Sequence, residues 1–411
     1  MAERLRIVVA GGLAAMPYAG VAWQVLQHLE GFRRLGHRVF YLEDTERWPY
    51  DPQHETVCDS ADPAVDYLSR LLAAKGFSRW AYRDVASATV YGVGEQALTR
   101  ELASADVLVN LSAVTALRDE HLRIPRRVYL ETDPVLPQIE IAQGNARTIQ
   151  LLDAHTHHFT YAENLGAPDC GVPLSHIAYQ PTRPPVIVDW WSREAPRPRR
   201  RSAFTTIANW RQRDKDVTFE GRRLTWSKDV QFLALQSLPR EACVPLELAL
   251  ALDDERPLAR LRQAGWRVRS ARPLSLDIDA YRRYVRASAG EFSVAKEQNI
   301  ALRSGWFSDR TATYLAAGRP AVVQDTGFGR ALPLGRGLFA FTTREQAIDA
   351  LAEIDADYPA HCLAARELAL EHLQAETVLG TLLERVGGGG GTGRATSATP
   401  AGSKPSLVTT I

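Results

Sequence analysis

The chain has 411 residues, of which 45% are apolar and 24% charged, with 49 basic and 48 acidic side chains. These proportions exclude wholesale disorder, and at roughly 100 to 200 residues per domain they suggest two domains, each with its own core. A formal net charge of +1 provides no global field to gather a polyanion. The one basic run, Arg197, Arg199, Arg200 and Arg201, reads as a solvated linker, so no nucleic-acid partner is expected.

No stretch approaches the roughly 20 uninterrupted apolar residues of a membrane span, and the segment after Met1 lacks the apolar core of a signal peptide, so a cytoplasmic location is expected. Cys58, Cys170, Cys243 and Cys362 show no CxxC or metal-ligand spacing. Reduced structural thiols and no metal centre follow as expectations.

In chain order, residues 5–10 form a β-branched run that ends in Gly11-Gly12, and a helical pattern occupies about 21–35. Gly36-His37 stops that helix, and 38–43 reads as a parallel strand, completing a βαβ unit. A helix near 96–105 and strands at 107–111 and 127–131 continue the alternation, giving a doubly wound α/β domain over residues 1–180. The Pro/Arg-rich stretch 181–201 resists regular helix and forms the expected linker. Alternation restarts with strands near 202–208, 246–251, 266–268, 289–293 and 320–324 and helices near 229–236, 257–264, 308–317, 344–354 and 361–385. A second α/β domain, 202–386, is therefore expected, with the glycine-rich tail 387–411 outside the fold. Two such domains leave a cleft at the carboxyl ends of their strands.

Ser308 is a good N-cap and Asp309 a favourable first-turn residue, while Gly318 stops the helix before the Pro320 strand. A helix so placed aims free N–H groups into the cleft, where the hydroxyls of Ser308 and Thr311 and the guanidinium of Arg310 suit a diphosphate. The bland alternative is a capped helix with a surface ion pair. Gly11, Gly12 and Tyr18 lie in the loop after the first strand, where the backbone could approach a ligand, although no GxGxxG is present. His155, His157 and His158 lack a further ligand at a recognisable spacing, so a metal is not expected there, and His157 or Asn164 is a candidate acceptor contact.

The stretch from Gly305 to Phe328, with helix, small-residue turn, Gly-x-Pro strand and acidic glycine-containing loop, resembles the donor-nucleotide site of bacterial GT-B glycosyltransferases of the family 1/4-like type. The segment Thr160 to Pro168 shares that resemblance, and the layout of nearly the whole ordered chain agrees with it. The resemblance implies two Rossmann-like domains facing across a cleft, an acceptor on the N-terminal one and a nucleotide-diphosphate sugar on the C-terminal one, with no further cofactor. It places Asn209, Arg211, Lys228 and Lys296 near the donor phosphates, and Asp325, Thr326 and Gly327 near the sugar. The His-Gly-Gly donor motif is absent, and Thr313 and Tyr314 stand where a Glu-x7-Glu motif would end.

Inverting transfer needs a base for the acceptor hydroxyl and charge stabilisation for the leaving diphosphate. Asp133, before Pro134 and just past a strand, is the first choice of base and Glu131 the second. The expected activity is therefore glycosyl transfer to a small molecule, such as a natural product. The rivals are a nucleotide-sugar 2-epimerase and a non-catalytic ligand-binding protein of the same fold.

Overall fold

The structure is a computed structural model that describes residues 4–51, 54, 56–192, 202–212, 215–252 and 254–387. Residues 193–201 of the expected linker, which include the arginine run, and all of the expected tail beyond Gly387 lie outside the described residues. Among the described residues, no helix is long and apolar enough to cross a membrane.

The first unit begins with β1 (Arg6–Ala10), whose Ile7, Val8 and Val9 are buried on both faces, as a central parallel strand requires. The helix Ala19–Arg34 follows, and Gly36, at φ +89°, turns the chain into β2 (Arg38–Glu43). A short hairpin, β3 (Tyr50–Asp51) and β4 (Thr56–Val57), stands apart from the main sheet. That sheet is completed by β5 (Trp80–Arg83), β6 (Val90–Gly92), β7 (Val107–Leu111), β8 (Arg126–Glu131), β9 (His157–Thr160) and β10 (Tyr179–Pro181). Its order is β10-β9-β8-β7-β1-β2-β5-β6, parallel except at the β5–β6 edge.

The second unit opens with β11 (Phe204–Asn209), carries a small hairpin of β12 (Val217–Phe219) and β13 (Arg222–Leu224), and continues with β14 (Leu246–Ala251), β15 (Arg267–Ser270), β16 (Gly290–Ser293), β17 (Ala321–Gln324) and β18 (Leu338–Phe341). The six-stranded sheet, ordered β15-β14-β11-β16-β17-β18, is parallel throughout. Both are doubly wound sheets with helices on their faces.

The expected helix over 361–385 is broken. Tyr358–Leu368 runs into a π-type turn at Ala369–Leu373, Gln374 is extended, and a new helix spans Ala375–Arg385. The cause is a pairing with Val186, whose N–H donates to the Leu373 carbonyl at 2.8 Å and whose carbonyl accepts from the Ala375 N–H at 3.0 Å. The last helix then packs on Ala19–Arg34 of the first unit, with Ala375 and Leu379 against Gly31. One buried apolar cluster consequently runs from β1 through Trp23, Trp191 and Tyr281 to Tyr314, crossing from one sheet to the other.

Candidate active site

The carboxyl ends of the two sheets face a cleft of about 720 Å³. Its N-terminal wall is formed by the loop after β1 and the start of Ala19–Arg34, through Met16, Tyr18, Val21 and Gln24, and by Asp133 after β8. Asp133 is the one charged residue on that wall among the described residues. The opposite wall carries Lys215, Lys228, Arg272, Lys296 and Arg310, with Trp226 and Trp306 between them.

Asp133 and Lys296 meet across the cleft, Lys296 Nζ donating to Asp133 Oδ2. The ammonium also lies 3.5 Å from the centroid of the Trp226 ring and 5.9 Å from that of Trp306. Burial brings its pKa down to about 8, although the Asp133 carboxylate pulls the other way. Lys228, just before the Asp229–Ala234 helix, is buried on the same wall, and its side chain makes no ion pair or hydrogen bond among the described residues. Desolvation, then Arg310 and Lys296, hold its ammonium well below the usual lysine range. Two disfavoured cations lining one wall form a site that an anion would relieve.

The helix Asp309–Ala316 forms as expected, with Ser308 Oγ accepting from the Arg310 N–H at 3.2 Å. Asp309 reaches the other wall, where its carboxylate accepts from Gln24 Nε2 at 2.9 Å, and burial pushes its pKa up to about 7. Arg310 requires a correction as a phosphate clamp. Its Nε donates to Glu291 Oε1 at 2.6 Å, Nη1 to the Ile207 carbonyl at 2.7 Å and Nη2 to Ser293 Oγ at 2.6 Å, so it is committed to β11 and β16. Thr311 is buried and faces a small recess of about 20 Å³ shared with Phe307 and Thr326.

Glu131 is likewise no second base. It stands opposite Thr160 in the β8–β9 register and accepts from Thr160 Oγ1 at 2.5 Å, from Gln138 Nε2 at 2.7 Å and from Tyr129 OH at 3.2 Å. Enclosure pushes its pKa up to about 7, and it lines no part of the cleft. Gly11 and Gly12 also stay out of the cleft, because their loop turns inward. The N–H groups of Ala14 and Ala15 donate to Glu43, whose carboxylate also accepts from Tyr41 OH at 2.6 Å, and a Cβ on Gly11 would come within 3.0 Å of the Tyr41 ring. The protein's own carboxylate thus fills that cradle, its pKa pushed up to about 7 by burial. Tyr18 does line the cleft, with Tyr50 of β3 at a ring distance of 6.1 Å.

His157 begins β9, at the end of the sheet remote from the cleft, and pairs with Thr156 Oγ1. Asn164, Asp325, Thr326 and Gly327 assemble into a seam between the units. Asn164 Nδ2 donates to the Arg303 carbonyl at 2.8 Å, Asp325 accepts from Arg303 Nη1 at 3.0 Å and from the Gly327 N–H at 2.8 Å, and Thr326 Oγ1 donates to the Trp306 carbonyl at 2.7 Å. A Cβ on Gly305 would fall 2.4 Å from the Asn164 nitrogen. Trp306 closes the seam by donating from Nε1 to the Thr132 carbonyl at 3.0 Å. Asn209 lines the cleft at the end of β11, whereas Arg211 is exposed and paired with Asp229. No local motif in the sequence marks Lys215, Trp226 and Arg272, which only tertiary packing brings to the cleft. Among the described residues, Asp44, Glu120 and His121 could together hold a metal ion, but none lines the cleft, and Arg83 and Arg118 already pair with the carboxylates.

Two parallel doubly wound sheets facing across such a cleft define the GT-B glycosyltransferase fold. The chain is similar in structure to alpha-glucosyltransferase (AGT) in complex with UDP, with a TM-score of 0.57 at 11% identity over 93% of this chain and 100% of that one. A further structure of alpha-glucosyltransferase, bound to UDP and a 13-mer DNA with a central A:G mismatch, matches with a TM-score of 0.57 at 10% identity, covering 93% and 100%. Anabaena HepE in complex with UDP and glucose matches with a TM-score of 0.52 at 10% identity over the same shares. No protein-family description and no curated protein matches the chain. The expectation that nucleic acid is excluded draws no support from a fold that alpha-glucosyltransferase uses in complex with DNA.

Proposed function

We propose that the protein is a glycosyltransferase that moves a sugar from a nucleoside-diphosphate donor to a hydroxyl of a small, uncharged acceptor. The observation that carries this reading is the division of the cleft, with Lys228 and Lys296 on one wall and the Asp133 carboxylate on the other. The UDP complexes of the structural neighbours support the class of donor. In the reaction, the acceptor oxygen attacks the anomeric carbon as Asp133 takes its proton, and the bond from that carbon to the diphosphate oxygen breaks with its electron pair leaving on the diphosphate. The two ammonium groups stabilise that departing charge, so the proposed reaction routes no step through a metal, and attack opposite the leaving group inverts the anomeric centre. An uncharged acceptor is favoured over nucleic acid because the N-terminal wall offers aromatic, aliphatic and amide groups and, among the described residues, no cation.

Thermal unfolding with UDP, GDP, dTDP, CMP and ADP tests the donor site, since a ligand of the native state raises the midpoint by mass action. One nucleoside diphosphate should stand out, and Lys228→Ala should remove its effect. No shift with any of them at millimolar concentration overturns the reading. Conversion of the matching nucleotide sugar without an acceptor, giving an epimeric sugar, would mark a 2-epimerase instead.

A further inference from the structure

The proposed reaction needs Lys296 on the diphosphate and Asp133 on the acceptor, yet in the structure each occupies the other. Asp133 Oδ2 accepts from Lys296 Nζ, and Asp133 Oδ1 is buried without a partner, so the less buried oxygen of this carboxylate is the one the ammonium holds. The contact joins the loop after β8 to the loop after β16, which belong to different units. The ammonium lies over the Trp226 ring and within 5.9 Å of the Trp306 centroid, and Trp306 is itself bonded to Thr132, the neighbour of Asp133. Lys228, without a partner, lies on the same wall.

We propose that the Asp133–Lys296 pair is a donor-operated latch: a nucleoside diphosphate takes over Lys296 as its counter-ion and thereby frees Asp133 for the acceptor. This rests on the donor site proposed above. The physical basis is competition between two anions for one ammonium, in a cleft where burial makes the loss of either partner unfavourable. Its consequence is an order of binding, donor before acceptor, imposed by one side-chain contact.

The latch has a signature that a structural ion pair lacks. If Asp133 competes with the diphosphate, then removing its charge tightens nucleotide binding. We expect Asp133→Asn, and equally Asp133→Ser, to bind the best nucleoside diphosphate of the panel about tenfold more tightly than the wild type by calorimetry, and Lys296→Met to bind it more weakly. In the Lys296→Met background, Asp133→Asn should change affinity by less than about twofold, since no shared ammonium remains. Tightening of equal size in both backgrounds would mean plain repulsion between Asp133 and the diphosphate and would overturn the latch. Unchanged or weaker binding by both Asp133 variants, with melting midpoints like the wild type, would also overturn it while leaving the donor site standing. Failure of every nucleoside diphosphate to bind the wild type overturns the donor site and the latch together.

Discussion

Arg310 is held by three hydrogen bonds, one of them to the buried carboxylate of Glu291, so its removal bears on stability before it bears on binding. Arg310→Ala leaves Glu291 uncompensated and should lower stability by about 3–5 kcal/mol, seen as a fall in melting midpoint without any ligand. An unchanged midpoint would contradict this assignment. Titration behaviour separates the two lysines from Arg310. Both ammonium groups lie below the usual lysine range, Lys296 at about 8, and a neighbouring diphosphate would restore their hold on the proton. Nucleotide binding near pH 8 should therefore take up protons, and its affinity should decline as the pH rises further and the lysines lose their charge. Calorimetric heats in buffers of different ionisation enthalpy measure that uptake, and identical heats would refute it. At this scale the Ser308 cap and the placement of Asp133 at the cleft-facing end of its strand were legible in the sequence, because both depend on neighbours in the chain. The capture of Arg310 by Glu291 was not, since it depends on strands that lie side by side only after folding.

The elements nearest in sequence follow local rules closely. The helix Ala19–Arg34 ends where Gly36 permits a positive φ, and the strand of residues 107–111 appears with the bounds read from its apolar run. The break at Gln374 obeys no local rule, because its cause is Val186, far earlier in the chain, which draws two backbone groups out of the helical ladder. The histidine segment was also hard to read, since His157 belongs to a strand whose direction decides that it lies away from the cleft. The packing of the last helix on the first leads to a prediction. A Cβ at Gly31 would lie 2.5 Å from Leu379 Cδ1 and 3.0 Å from Ala375 Cβ. Gly31→Leu should therefore destabilise the protein by about 1–3 kcal/mol in urea titrations, although leucine favours helix over glycine by about 1 kcal/mol. A gain in stability would show that this contact is looser than described.

At the scale of the molecule, the two units touch through more than the cleft. The seam of Asn164, Gly305 and Gly327 seats the segment that continues into Trp306 and Ser308, so the seam sets where the cationic wall stands relative to Asp133. Gly305 has φ +80°, and a side chain there would meet backbone of the opposing loop. Gly305→Ala should lower both the melting midpoint and the affinity for nucleotide, whereas Asn164→Ala, which removes side-chain bonds and leaves the backbone contact, should lower them less. Parallel melting and binding curves of the two variants test that ranking, and a Gly305→Ala protein indistinguishable from wild type would overturn it.

The return of the Ala375–Arg385 helix to the first unit also bears on how such a protein can be recombined. The first unit is built from two stretches of chain and the second from the stretch between them, so an exchange of donor-binding halves between proteins of this architecture cannot be made with a single junction in the linker. A graft cut only there would import a terminal helix shaped for a foreign surface and leave Gly31 facing a stranger. Two junctions, one in the linker and one at Gln374, would keep that helix with its own partner.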